Sequence, residues 1–368
     1  MKRLPALDML RGYALVCIML DHMPLGVLRG VTLTNFALYD AAELFVLLSG
    51  FLVGLVWIKV EAPRRRFARR AAQVWLALVV GGVALALLSR GLFELGLSHT
   101  AIWDRYADWV IEEPLGYLAA LGLMWMQPNL LDVLALYVVL LALAPVLVPV
   151  LLRRPWAFAA GSVAVWLVAV PLNAMLPNHR TAGGLLFNPF GWQMLFFSGV
   201  AMGAFRHRFM PVLRRHSRGL TWAAWAVTVW SLAMVALWRF GPEGKRLADL
   251  LWQLSGNVDK WPLDGARYMA VMAASWLVAV PLAPPLARLA ATGAGRALAT
   301  IGRGGLIAFV ACVMLSVLGD ALATNLPATA PVRLAVDIWT LATLWLVAHL
   351  WLTLKSPGKA RLGAMRET

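Results

Sequence analysis

The chain has 368 residues, 61% of them hydrophobic and only 14% charged, with a formal net charge of +15. That is too little charge to cover a soluble domain of this length, and the apolar residues come in blocks of roughly 20, the length of a membrane-spanning helix. Blocks such as 75–88 and 133–152 are apolar on every face, which excludes the alternation of a membrane β-barrel, and the cations crowd the ends of alternate blocks, which reads as topogenic charge rather than a nucleic-acid footprint.

Ten helices are predicted, at roughly 7–28, 38–60, 70–89, 129–152, 156–176, 190–206, 221–239, 268–287, 304–321 and 332–354. The first follows a short basic N-terminus and holds Arg11, Asp21 and His22 inside its apolar run, a poor cleavable signal, so it is taken as retained. The segment 113–127 is apolar too, but Pro114 and the cluster Met124, Trp125 and Met126 fit an interfacial stretch better than a span. With the N-terminus inside, the basic groups at 64–70, 153–154, 206–218, 288–303 and 355–366 all fall inside. Most acidic loop residues, among them Asp104, Asp108, Glu112, Glu113, Asp249, Asp259 and Asp264, fall outside. The expected fold class is an all-α integral membrane protein, a bundle of about ten transmembrane helices with cytoplasmic N- and C-termini. It is read as one polytopic domain over 1–354 with a short basic cytoplasmic tail over 355–368. Two outer loops, about 90–128 and 240–267, are long enough to carry function.

Ionisable residues inside a membrane are costly, so each is a functional candidate. In the first helix Asp8 and Arg11 stand three apart and share a face, as a structural pair or as part of a site. Arg11 and His22 are eleven apart, which puts them on one face about 16 Å apart along the axis. That stripe carries a cation near the inner end and an imidazole near the outer end, a layout suited to a long substrate charged at one end and reactive at the other. The second helix opens with Asp40 and Glu43, which reach the depth of His22 because the helix runs the opposite way. A carboxylate beside a histidine sets its tautomer and raises its basicity; Asp40 also fits an N-cap. Asp132, Asn188 and Gln193, at the starts of the fourth and sixth helices, and Arg267, entering the eighth, join the same outer level. Ser49-Gly50 and Gly54 form a small-residue pair for close helix packing.

Other features read as structural. Cys17 and Cys312 lie in apolar blocks, and no pairing of His or Cys suggests a metal. Most of the 18 tryptophans fit an interfacial belt, although Trp103, Trp109, Trp252 and Trp261 in the outer loops also suit stacking on sugar rings. The glycine-rich basic stretch from Thr292 to Gly305 reads equally as a phosphate-binding or a flexible inner loop.

The segment Leu7-Asp8-Met9-Leu10-Arg11-Gly12, closing at Asp21-His22, resembles the opening of transmembrane acyltransferases of family 3 and their relatives. Asp40 to Phe51, Gln127 to Asp132 with Tyr137 and Pro145, and Asn188 to Gln193 resemble the second, fourth and sixth helix motifs of the OpgC family, whose members succinylate osmoregulated periplasmic glucans. Gly304-Gly305 departs from the polar residues that relatives often carry after Gly302-Arg303. The resemblance implies a multi-pass protein of the bacterial inner membrane, with the lipid bilayer around it and no nucleic acid. It implies an O-acyltransferase moving succinyl or another short acyl group from a cytoplasmic acyl-CoA-type donor, its co-substrate, to hydroxyls of an extracytoplasmic glycan, with no bound cofactor or metal. It further implies Arg11 holding the donor, with Asp8, Asp132, Asn188, Gln193 and Arg267 also in contact with substrate. His22 would be the base or the acyl acceptor, Glu43 or Asp40 would orient it, and Arg267 or Asn188 would steady the oxyanion. The alternative is a transporter of an anionic or lipid-linked substrate, for which the predicted helices show neither midplane breaks nor repeats.

Overall fold

The structure is a computed structural model that describes residues 5–99, 104–178, 183–255 and 258–355. Trp103, the side chain of Trp252 and most of the basic tail lie outside the described residues. Among the described residues the chain is helical and contains no strand. In chain order the helices are α1 (Pro5–Asp21), α2 (Ala41–Trp57), α3 (Pro63–Glu94), α4 (Asp104–Glu112), α5 (Pro114–Gly122) and α6 (Asp132–Arg153). There follow α7 (Pro155–Leu167), α8 (Ala169–Ala174), α9 (Pro189–Arg215), α10 (Ser217–Leu237) and α11 (Gly241–Ser255). The last are α12 (Gly265–Ala279), α13 (Ala283–Ala290), α14 (Gly293–Gly304), α15 (Leu306–Asn325) and α16 (Ala330–Lys355).

Five of these, α3, α6, α10, α15 and α16, are long and apolar enough to cross a membrane, and α12 with α13 makes a sixth if counted as one broken span. The helices α2 and α7 are apolar but shorter. Large apolar side chains stand exposed along the long helices: Leu76 and Val80 on α3, Val146 on α6, Trp222 and Val229 on α10, and Leu346 and Leu350 on α16. Such faces are costly in water and suit lipid. The several apolar helices make this a multi-pass membrane protein.

Several local results differ from the sequence expectation: the predicted helix 156–176 is broken into α7 and α8, and 268–287 into α12 and α13. The first helix stops at Asp21, because Pro24 and Gly26 lie in a turn closed by Gly26 N–H on the Met23 carbonyl. The two long loops contain helices of their own, α4, α5 and α11. The glycine-rich stretch after Thr292 is the helix α14, capped by the Thr292 hydroxyl on Gly295 N–H. Gly305, at φ 61°, makes the joint to α15.

The chain divides into two compact units. The first comprises Met1–Thr32, Leu88–Asp104 and Pro284–Thr368. In it α1 packs on α14 so closely that a Cβ at Gly12 would stand 1.8 Å from the Leu298 carbonyl oxygen, and one at Gly302 2.0 Å from that of Asp8. The same unit packs α15 against α16. The second comprises Leu33–Leu87 and Arg105–Ala283. Its spine is α2 against α9, where Gly50 and Gly54 meet the Phe196 and Val200 carbonyls while Gly199 and Gly203 meet those of Leu47 and Phe51.

Candidate functional site

In the second unit Asp40 opens α2 as an N-cap. Its Oδ1 accepts Ala42 N–H at 2.7 Å, and Glu43 Oε2 accepts Asp40 N–H at 3.0 Å, a capping box. The two acids do more than cap. Arg267, in the first turn of α12, donates from Nε to Glu43 Oε1 at 2.6 Å, and its terminal nitrogen lies 2.5 Å from the same oxygen and 3.6 Å from Asp40 Oδ2. Lys260 completes the group, with Nζ 2.6 Å from Asp40 Oδ2. Glu43 is fully buried. Two carboxylates and two cations thus neutralise one another where water is scarce, the condition for burying charge. Burial alone would lower the pKa of the Lys260 ammonium, but the Asp40 and Glu43 carboxylates outweigh it and hold it above the ordinary lysine value.

The loop bearing Lys260 is fixed from α9. Asn188 caps that helix by accepting Phe190 and Gly191 N–H, and its side-chain amide donates to the Ala169 carbonyl at 2.7 Å. Asn188 N–H donates to the Trp261 carbonyl, and Trp192 Nε1 lies 3.1 Å from both the Lys260 and Trp261 carbonyls. Gly191 lets the loop lie against the helix, since a Cβ there would stand 2.0 Å from the Pro262 carbonyl oxygen. Lys260 Nζ sits over the Phe187 ring at 5.3 Å and the Trp261 ring at 5.7 Å.

The structure therefore gathers Asp40, Glu43 and Arg267 and adds Lys260, from the predicted outer loop at about 240–267. Nothing in its spacing marks it; it arrives through the Asn188 and Trp192 contacts to its neighbours. Gln193 accepts from the Ser162 hydroxyl at 2.7 Å and donates to the Ser162 and Phe190 carbonyls, tying α7 to α9. Asp132 is buried at the start of α6, where its Oδ1 accepts Val133 N–H at 2.8 Å.

Asp8, Arg11 and His22 belong to the first unit. Arg11 and Ile18 on α1, and His22 just beyond it, share one side that is not buried, while Ala14 and Leu15 between them are. The Nε of Arg11 is buried and meets no hydrogen-bond partner among the described residues. His22 Nδ1 lies 2.6 Å from the Ile18 carbonyl oxygen. A carbonyl only accepts, so Nδ1 carries the proton and, in the neutral ring, Nε2 carries the lone pair.

The sequence model of one protein family, described as OpgC protein, matches residues 3–356, nearly the whole chain. The chain belongs to the OpgC family. No curated protein matches it. OpgC membership implies a transferase role in the modification of periplasmic glucans, and residues 3–356 take in both units and all the motif residues. Among the described residues no group of three or more His, Cys, Asp or Glu side chains could hold a metal ion.

Proposed function

We propose that this OpgC chain is an inner-membrane O-acyltransferase that moves succinyl or another short acyl group from a cytoplasmic acyl-CoA-type donor to glucan hydroxyls outside. It would span the membrane about ten times with both termini cytoplasmic. The observation that carries the reading is the His22 tautomer. A ring whose Nδ1–H is spent on a backbone carbonyl offers Nε2 as a base, which is what attack by a sugar hydroxyl requires. Nε2 takes the hydroxyl proton as the oxygen attacks the thioester carbonyl. The C–S bond then breaks, the ester forms, and the departing thiolate receives the proton.

Arg11 supports the same reading. A buried guanidinium nitrogen with no partner costs free energy, and an anionic part of the donor would offset it. His22 lies three turns along the same face, about 16 Å away, a reach suited to an extended thioester. Asp8 and Asp132 as substrate contacts, Asp40 or Glu43 as the carboxylate that orients His22, and Arg267 or Asn188 as oxyanion donors belong to the proposal.

The test compares ester-linked acyl groups on periplasmic glucans by mass spectrometry from cells with the intact gene, without it, and with His22→Ala. Loss of one ester series in both mutants, with the variant protein still in the membrane, supports the reading, and the mass names the acyl group. Three matching profiles, under conditions where the intact gene is expressed, would sink it and favour transport.

A further inference from the structure

Asp337 lies in the third turn of α16 with no exposed surface. A carboxylate buried in an apolar helix costs free energy unless it is hydrogen-bonded or paired. Its Oδ2 accepts Leu28 N–H at 2.8 Å. Val27 precedes the short 3-10 turn Leu28–Val31 and supplies no side-chain cap. Asp337 caps that turn from 309 residues away. Among the described residues its buried Oδ1 meets no donor. A Cβ at Gly26 would stand 2.7 Å from that oxygen, so the chain passes beneath the acid only as glycine.

The rest of the turn is gripped by the same helices. Met23 is fully buried, and its side chain is what a Cβ at Gly319 of α15 would strike, at 2.6 Å. The Thr340 hydroxyl, one turn after Asp337, lies 3.9 Å from the Met23 sulfur and donates to the Asp337 carbonyl at 2.8 Å. Met23 N–H closes on the Leu20 carbonyl and Gly26 N–H on that of Met23. Thr32 donates to Asp21 Oδ1 at 2.5 Å, drawing the end of the loop back to α1. His22 stands between these anchors, one residue beyond the end of α1, with its Nδ1 on the Ile18 carbonyl at 2.6 Å.

We propose that Asp337 is the positioning residue for His22: by capping Leu28–Val31 from α16 it fixes the Met23–Gly26 turn that ends α1, and with it the place and tautomer of the imidazole. The proposal rests on the reading of His22 as the base, and the experiment separates the two. Hydrogen–deuterium exchange over residues 19–32 is measured on the purified full chain in detergent, alongside the glucan ester profile in cells, for the native protein, Asp337→Leu, Asp337→Asn and His22→Ala. Asp337→Leu should speed exchange of the Leu28 amide by roughly tenfold, the loss of one hydrogen bond to a carboxylate, and should suppress the ester series at normal membrane level. Asp337→Asn keeps an acceptor oxygen and should restore most of both. A purely structural role would lower the unfolding midpoint and the ester yield together, without rescue by Asn. If Asp337→Leu does not accumulate, Gly26→Ala, which pushes a methyl against Oδ1, carries the same two measurements. Unchanged exchange at Leu28, or faster exchange with an intact ester series, overturns the proposal. An ester series that survives His22→Ala overturns the base instead, while the exchange result still decides whether Asp337 holds the turn.

Discussion

Arg267 carries the charge balance of the cluster around Asp40. It contacts Glu43 through two nitrogens, and Glu43 has no exposure to water. Removing the arginine leaves a buried carboxylate facing a void, which costs about 3–5 kcal/mol for a buried pair. Replacing both partners by neutral groups removes that penalty. Arg267→Leu is therefore expected to lower the thermal unfolding midpoint in detergent sharply, and adding Glu43→Gln to it should recover at least part of the loss. Strict additivity of the two substitutions would show that the contact is energetically idle. Lys260 gives a pH signature. Its folded pKa is raised by Asp40 and Glu43 against the effect of burial, so its stabilisation is fully present below the unfolded value of about 10.4. It is lost as the pH rises through the higher folded value. The gap in unfolding midpoint between the native chain and Lys260→Met should stay level from about pH 7 to 9 and close only above about pH 10.4; a gap that closes near neutrality contradicts the pairing.

At the scale of elements, helix contact through glycine decides how α1 meets α14 and α2 meets α9. A Cβ at Gly50 would stand 2.0 Å from the Phe196 carbonyl oxygen, and one at Gly203 2.2 Å from that of Phe51. Those neighbours are backbone and cannot rotate away. Gly161 on α7 and Gly219 on α10 meet nothing within 4 Å. Gly50→Ala and Gly203→Ala should reduce the folded yield on detergent size-exclusion chromatography. Gly161→Ala should be neutral or stabilising by up to about 1 kcal/mol from helix propensity. Equal effects at the three positions would refute close packing as the reason for these glycines. Half of this was legible in the sequence: Gly50 and Gly54 advertise a packing face at a spacing of four. The matching Gly199 and Gly203 on α9 have the same spacing, but a pairing across roughly 150 residues has no local signal. Likewise the stretch from Thr292 reads as a loop because glycine disfavours helix, whereas Gly302 is there to let α14 lie on Asp8 and Gly12.

At the scale of the whole molecule, hydropathy delivers the class and tertiary contacts deliver the site. The capping box of Asp40 and Glu43 is written in four consecutive residues, but Lys260 and Asp337 reach their places through contacts more than 200 residues distant in sequence. The number of spans lies between these cases. Five helices qualify by length and composition alone. At 17 residues, α2 measures about 26 Å, near the lower limit for a helix that crosses. Ten spans follow only if the charge pattern is added to length, because arginines at 64–70, at 153–154 and at 206–218 then share one side. Thiol labelling tests this directly, since Cys17 and Cys312 are both buried and give a quiet background. Single cysteines at Arg65 and Arg296 should react with a membrane-impermeant maleimide only after the inner membrane is opened. Cysteines at Lys245 and Asp259 should react in cells whose outer membrane alone is permeable. Labelling of Arg65→Cys from outside would reverse the orientation. Labelling of Arg296→Cys from outside with Arg65→Cys protected would remove an odd number of spans between them, and the positive-inside pattern would then need another cause.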